Sequence, residues 1–318
     1  MIEVQNLTKS YGGITAIQSL NFKVNKGEVV GFLGPNGAGK STTMKIITGF
    51  MAPTSGRATV GGYDVFENPI EVKKRIGYLP ETPPVYGDMK VRDYLKYVAE
   101  LKGVPKDRMA KNVERAIEKT SLGAVEKRLI QNLSKGFRQR VGIAQALVSE
   151  PEVLILDEPT VGLDPKQVAE IRDLIKELRG QHTIILSTHI LPEVQATCER
   201  IIIIHRGQIV AQDSLANLTN LKAGQRRVQL KVRKAKAQLD QSLSSVNGVI
   251  GVQAGAGDQD WMIDADASED MIERIASHVI QKGYGLLEIT SAKADLEDVF
   301  LKLTYGSNQA ATELEQGV

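Results

Sequence analysis

Gly34-Pro35-Asn36-Gly37-Ala38-Gly39-Lys40-Ser41 fits the phosphate-loop pattern G-x-x-x-x-G-K-[ST] at every fixed position. Its flanks suit it. Glu28 to Leu33 is a short apolar run of strand character, and Met44, Ile47 and Thr48 recur at helical spacing before Gly49 can end a helix. A strand, a glycine loop and a helix start together make an anion cradle. Gly34, Gly37 and Gly39 let the backbone approach a polyphosphate and turn its N–H groups inward, and the helix N-terminus adds positive potential. Lys40 supplies a point charge for the outer phosphates, and the Ser41 hydroxyl is a hard oxygen ligand suited to Mg2+. The stretch implies binding of a nucleoside triphosphate.

Working outward, the 318 residues suffice for one large domain with a smaller one. Hydrophobic residues at 42% and charged residues at 25% describe a soluble globular chain, and a net charge of +2 gives no reason to expect nucleic acid as a partner. The apolar run Ile201–Ile204 is strand-sized, far short of the roughly 20 residues of a membrane helix. Met1-Ile-Glu-Val-Gln enters a strand pattern at once, so no signal peptide is expected. The single cysteine, Cys198, excludes an internal disulfide and fits a reducing, cytoplasmic compartment.

Residues 1–28 read as extended, with turn signals at Gly12-Gly13 and Asn25-Lys26-Gly27. Short strands follow at Arg57–Val60 and Ile76–Leu79. Charged, helix-forming sequence then begins at Lys90, with Val91, Tyr94, Leu95 and Val98 on one face. Strand signals return at Val153–Leu156, Thr183–Ser187 and Ile201–Ile204, separated by helical stretches at 165–179 and 190–199. Near-continuous apolar strands alternating with helices argue a buried parallel sheet. The expected fold is therefore α/β over residues 1–215, with a β-rich N-terminal part and a helical insertion at about 88–149. Residues 216–225 read as a polar linker. From 226 to 305 the order strand, helix, strand, strand, helix, strand is that of a ferredoxin-like α+β accessory domain, closed by a short amphipathic helix from Ala294. The tail 306–318 is expected to fray.

Val153–Leu156 leads into Asp157 and Glu158. Carboxylates at the C-terminal end of a buried parallel strand face a ligand bound at the sheet edge. Asp157 suits the role of holding Mg2+, and Glu158 that of the base polarising an attacking water. His189, Ser134, Tyr11 and Glu81 each have an ordinary explanation when taken singly; Ser134, for instance, is simply a helix N-cap.

Taken in order, these residues resemble the nucleotide-binding subunits of ABC transporters over residues 1 to about 215. Tyr11 stands at the adenine-stacking aromatic, Gly34–Thr42 at Walker A and Glu81 at the Q-loop. Leu133–Arg140 lies at the signature, Leu154–Glu158 at Walker B, Gly162-Leu163-Asp164 at the D-loop and His189 at the switch histidine. The resemblance implies a phosphate-loop ABC cassette that hydrolyses ATP with Mg2+. Ser41, Thr42, Asp157 and Glu81 would lie around the metal and phosphates, and His189 would read the γ-phosphate. Ser134 and Gly136 would close over the ATP of a second subunit. It also implies a homodimer or paired ATPase subunit on the inner face of the cell membrane, joined through the helical insertion to integral-membrane permease subunits. Two motifs depart from the family. Lys135 and Phe137 replace a glycine and the glutamine of Leu-Ser-Gly-Gly-Gln, and Glu81 stands where glutamine is usual. With Asp295–Thr304, these variants resemble the exporter branch of gliding-motility-like and drug-export ATPases. A non-transport ABC ATPase of translation-factor or DNA-repair type is the alternative. It is disfavoured by the single cassette and by the gap of only about 50 residues between Q-loop and signature.

Overall fold

The computed structural model describes residues 1–219, 225–233, 239–255, 257, 259–266, 268, 270–292, 296, 297, 300 and 304. The chain divides into two compact units, Met1–Leu215 and Ala216–Val318.

The first unit opens with β1 (Ile2–Tyr11) and β2 (Ile14–Val24), an antiparallel pair whose Ile2, Val4, Leu7, Ile17, Leu20, Phe22 and Val24 point into the core. β3 (Val29–Leu33) is buried at every position and feeds the glycine loop and α1 (Lys40–Ile47). β4 (Ser55–Val60) and β5 (Tyr63–Asp64) complete a four-stranded antiparallel sheet of order β2-β1-β4-β5. Met44, Ile46 and Ile47 of α1 join this sheet's inner face to the second sheet in one hydrophobic core.

After α2 (Pro69–Arg75) and β6 (Ile76–Leu79) the chain makes its helical insertion: α3 (Val91–Leu101), α4 (Lys106–Lys119) and α5 (Lys135–Leu147). Val91, Tyr94, Leu95 and Val98 pack on Val113, Ala116 and Ile117 of α4 and on Val141 and Ala144 of α5, a core of their own. The expected stripe on α3 is therefore the face that closes the insertion. Then β7 (Val153–Asp157), α6 (Pro165–Leu178), β8 (Thr183–Thr188), α7 (Leu191–Thr197), β9 (Arg200–His205) and β10 (Gln208–Ser214) build a six-stranded sheet of order β10-β9-β3-β8-β7-β6. Its strands run parallel except β10, which pairs antiparallel with β9. Register places Leu33 beside Thr188 and Ser187 beside Asp157. The loops after β3, β7 and β8 thus leave the sheet at one carboxyl edge, where open α/β sheets bind ligands.

The second unit begins within the expected linker. Residues 216–219 are not extended linker but belong to α8 (Leu215–Thr219), where the apolar Leu218 is buried; β11 (Gln225–Val232) starts at the linker's last residue. α9 (Leu239–Ser244), β12 (Val249–Ala254), β13 (Asp260–Asp266), α10 (Met271–Gln281) and β14 (Leu286–Ala292) follow. All pairs in this sheet are antiparallel and the order is β12-β13-β11-β14, the arrangement of a split β-α-β fold. Val228, Leu230, Val232 and Ile263 meet Leu243, Met271, Ile275 and Val279 of the helices. The amphipathic helix expected from Ala294 falls mostly outside the described residues, as do the linker residues 220–224 and the tail from 306.

Candidate functional site

The glycine loop wraps its own lysine. Lys40 is only 6% exposed, and its Nζ donates to the Gly34 carbonyl (2.8 Å) and the Pro35 carbonyl (3.2 Å). A buried ammonium on two neutral carbonyls is incompletely compensated, and its third neighbour is the Glu158 carboxylate, with Oε1 at 3.5 Å. Two glycines bend the loop. Gly37 has φ 78° and Gly39 φ 106°, backbone that a side chain rarely adopts. Gly34 N–H donates to the Thr188 carbonyl and Ala38 N–H to that of Pro35, so the loop is tied to β8 and to itself.

Three further groups converge from the same sheet edge. Asp157, at the end of β7, is 2% exposed and accepts a hydrogen bond from Ser187 Oγ at 2.7 Å. Burial holds its carboxyl above the usual carboxylate range. Hydrogen bonds from Ser187 and Ser41 oppose that shift, and the nearby charges of Glu158 and Glu81 reinforce it. Glu158 follows with φ 49°, a left-handed conformation uncommon for a residue with a side chain. Both oxygens of its carboxylate lie 3.0 Å from His189 Nδ1. Lys40, Glu158 and His189 therefore form one chain of contacts.

These residues border a cavity of about 460 Å³ whose lining includes Asn36, Gly37, Gly39, Ser41, Thr42, Glu81 and, from the start of β2, Ala16. Ser41, Asp157 and Glu81 offer oxygen atoms only, with more negative charge than their hydroxyl donors offset. That donor set fits a hard divalent cation. No cluster of three His, Cys, Asp or Glu side chains able to cage a metal occurs among the described residues. Mg2+ rarely asks for one, because it keeps waters and shares its coordination with substrate phosphates.

Gly34, Pro35, Ala38 and Asp157 are not in this lining although each lies one or two residues from one that is, whereas Tyr11, Ser134, Gly136 and Asp164 are absent from it and lie on other elements. Tyr11, 45% exposed at the end of β1, donates its hydroxyl to Met51 Sδ at 3.0 Å and carries Lys9 Nζ 5.2 Å from its ring centre. Ser134 caps α5, its Oγ accepting from Phe137 N–H at 3.4 Å. Gly136 is buried in the first turn of that helix, where a side chain would meet Gln167 of α6. Asp164 caps α6, its carboxylate accepting from Gln167 N–H at 2.9 Å. Both helix starts thus lie beside one another, with Lys135 packed across Gly162.

Sequence reading passed over Ser187, which holds Asp157, and a buried polar knot beneath the cavity. In that knot Glu193 of α7 accepts hydrogen bonds from Thr160 Oγ1 and, at 2.9 Å, from Thr188 Oγ1. A faint signal exists, since Glu193 falls among Leu191, Val194 and Thr197 in a helix that must pack on the sheet.

The chain is similar to known proteins in sequence and in fold. The ABC transporter family model matches residues 17–161. The bacitracin transport ATP-binding protein BcrA of Bacillus licheniformis is 33% identical over 318 aligned positions, 96% of this chain and 98% of that protein. The lantibiotic transport ATP-binding protein SrtF of Streptococcus pyogenes is 38% identical over 222 positions, 70% of this chain and 94% of the relative. Among solved structures, a dimeric post-hydrolysis state of the ATP-binding cassette MJ0796, bound to ADP and Pi, superposes with a TM-score of 0.62 at 25% identity, covering 68% of this chain and 99% of the cassette. The chain therefore belongs to the ATP-binding subunits of ABC transporters, a family of ATPases.

Proposed function

We propose that this ATPase powers export, using Mg2+ and ATP in sites completed by a second ATPase subunit, at the inner face of the cell membrane. The observation that carries this reading is the convergence of Lys40, Glu158 and His189 on one cavity at the carboxyl edge of the sheet. In this reading the polyphosphate lies along the backbone from Gly34 to Thr42. It offers Lys40 a formal charge in place of two carbonyls, an exchange that favours binding. Ser41, Asp157 and Glu81 would hold Mg2+, which neutralises phosphate charge. Glu158 orients the attacking water and draws its proton, with His189 fixing the carboxylate and reading the γ-phosphate. Tyr11, on the open surface at the end of β1, stacks on adenine. Ser134, Gly136 and Asp164 serve the ATP of the paired subunit, in keeping with their place at the starts of α5 and α6 rather than on the glycine loop or the carboxyl ends of β7 and β8.

Likeness to proteins named for bacitracin and lantibiotic transport supports export. No helix among the described residues is long and apolar enough to cross a membrane, and in this reading permease subunits supply the path. Tyr97 of α3 and Tyr86 in the loop just before the helical insertion, exposed and packed edge-on with ring centres 5.8 Å apart, offer those subunits an apolar surface.

The chemistry is tested with purified protein. Glu158→Gln should bind ATP yet turn over at least about 100-fold more slowly, within the range for loss of a general base. Lys40→Ala should instead weaken binding itself. Near-wild-type hydrolysis by Glu158→Gln would remove Glu158 from this role.

A further inference from the structure

Glu193 is a buried carboxylate in the first turn of α7, where the helix N-terminus offsets part of its charge. It is 2% exposed, and no Lys, Arg or His among the described residues lies within ion-pair distance. Its side-chain hydrogen-bond donors are two hydroxyls, those of Thr160 and Thr188, themselves 4% and 0% exposed. Isolated buried charge is costly, and two neutral donors only partly offset it. Docking α7 on the sheet does not need it, because Leu191 and Val194 in the same helix already bury apolar side chains there. A residue kept at such expense of stability calls for another reason.

That reason lies in what the two threonines adjoin. Thr160 is two residues after Glu158, and Thr188 immediately precedes His189. Thr188 Oγ1 also accepts from Ile190 N–H at 3.1 Å, which leaves its single proton for Glu193 and so sets the direction of the bond. Glu158 sits at φ 49°, a conformation that persists only where its surroundings hold it. Its N–H donates to the Ser187 carbonyl at 2.8 Å, its carbonyl accepts from Val161 N–H at 3.3 Å and its carboxylate meets Lys40. A further anchor is Thr160, on the same loop, fastened to Glu193.

We propose that Glu193 is a positioning residue, a buried clasp joining the loop that carries Glu158 to the loop that carries His189. It holds Glu158 against His189 Nδ1 without touching ATP. The inference rests on the reading of Glu158 as the base. A carboxylate suits the clasp because it accepts from both hydroxyls at once. Glutamine keeps one accepting oxygen but turns an N–H2 toward the other threonine.

The test uses the full chain and reads kcat and KM for ATP separately, with thermal melting as a control. Misplacement of a catalytic group by about an ångström costs on the order of 100-fold, so Glu193→Ala should lower kcat between about 10- and 100-fold. KM for ATP should change less than about threefold, the sign of an interaction that matters only in the transition state. Glu193→Gln should recover part of the loss. Thr160→Val, which removes one hydroxyl at nearly constant volume, should lower kcat in the same way and serves if Glu193→Ala does not fold. The decisive comparison is in the Glu158→Gln background. There, Glu193→Ala or Thr160→Val should alter the residual rate by less than about twofold, because the group being positioned is already disabled. The proposal is overturned by wild-type kcat in both variants, by loss of ATP binding in step with kcat, or by the same proportional loss with and without the Glu158 carboxylate. Failure of the base assignment is separate, since it shows as unchanged turnover in Glu158→Gln alone.

Discussion

Gly37 and Gly39 share a loop and a positive φ, but the space around them differs. A Cβ at Gly37 would meet nothing within 4 Å, whereas one at Gly39 would lie 2.6 Å from Ile17 Cγ2 and 2.9 Å from the Ala16 carbonyl oxygen. Gly37→Ala should therefore cost only left-handed strain, about 1–2 kcal/mol, and retain measurable ATP binding. Gly39→Ala adds a collision with backbone and should cost more than about 3 kcal/mol or prevent binding. Chemical denaturation and nucleotide titration of both variants check this; equal effects would contradict it. The same contrast governs what was legible beforehand. Lys40, Ser41, Asp157 and Glu158 could be read from local pattern, because a strand followed by a fixed spacing determines where each side chain emerges. Glu193 could not, since its donors stand 33 and 5 positions away and only folding brings them together.

At the scale of elements, legibility follows burial. β3, β7 and β8 are buried at every position, and their continuous apolar runs announce strands. The unexpected elements lack that signal. In α2 only Val72 is buried among charged neighbours, and β10 is a half-exposed edge strand stabilised by pairing with β9. At the opposite end of β8 from the site, His182 is 8% exposed, with Nδ1 2.7 Å from the Pro151 carbonyl. Burial lowers its pKa below the ordinary 6.5; Lys119 adds to the shift, while the Pro151 carbonyl and Glu150 oppose it. The neutral ring therefore favours the fold above pH 6.5, and that contribution is lost as pH falls from 6.5 through the folded-state value. Melting curves between pH 8 and 5 should show wild type losing more stability below pH 6.5 than His182→Gln. Parallel losses would place the titration elsewhere.

For the whole molecule, the proposed second subunit would complete the cavity that one chain forms. Lys40, Glu158 and His189 line it, while Ser134 and Gly136 stand at the start of α5 and do not. Phosphate charge bridging one subunit's loop and another's helix N-terminus would make pairing depend on ATP. On the proposed reading hydrolysis would belong to the pair, with each composite site drawing on both chains. The measurement that bears on this most directly mixes two defective chains, Lys40→Ala and Ser134→Arg, after each alone is shown not to hydrolyse ATP. A mixed dimer holds one site with both defects and one with neither, so ATPase activity should return in part on mixing, in proportion to the heterodimer formed. Activity of Ser134→Arg by itself, or a heterodimer demonstrated to form and yet remain inactive, would contradict a site shared between subunits.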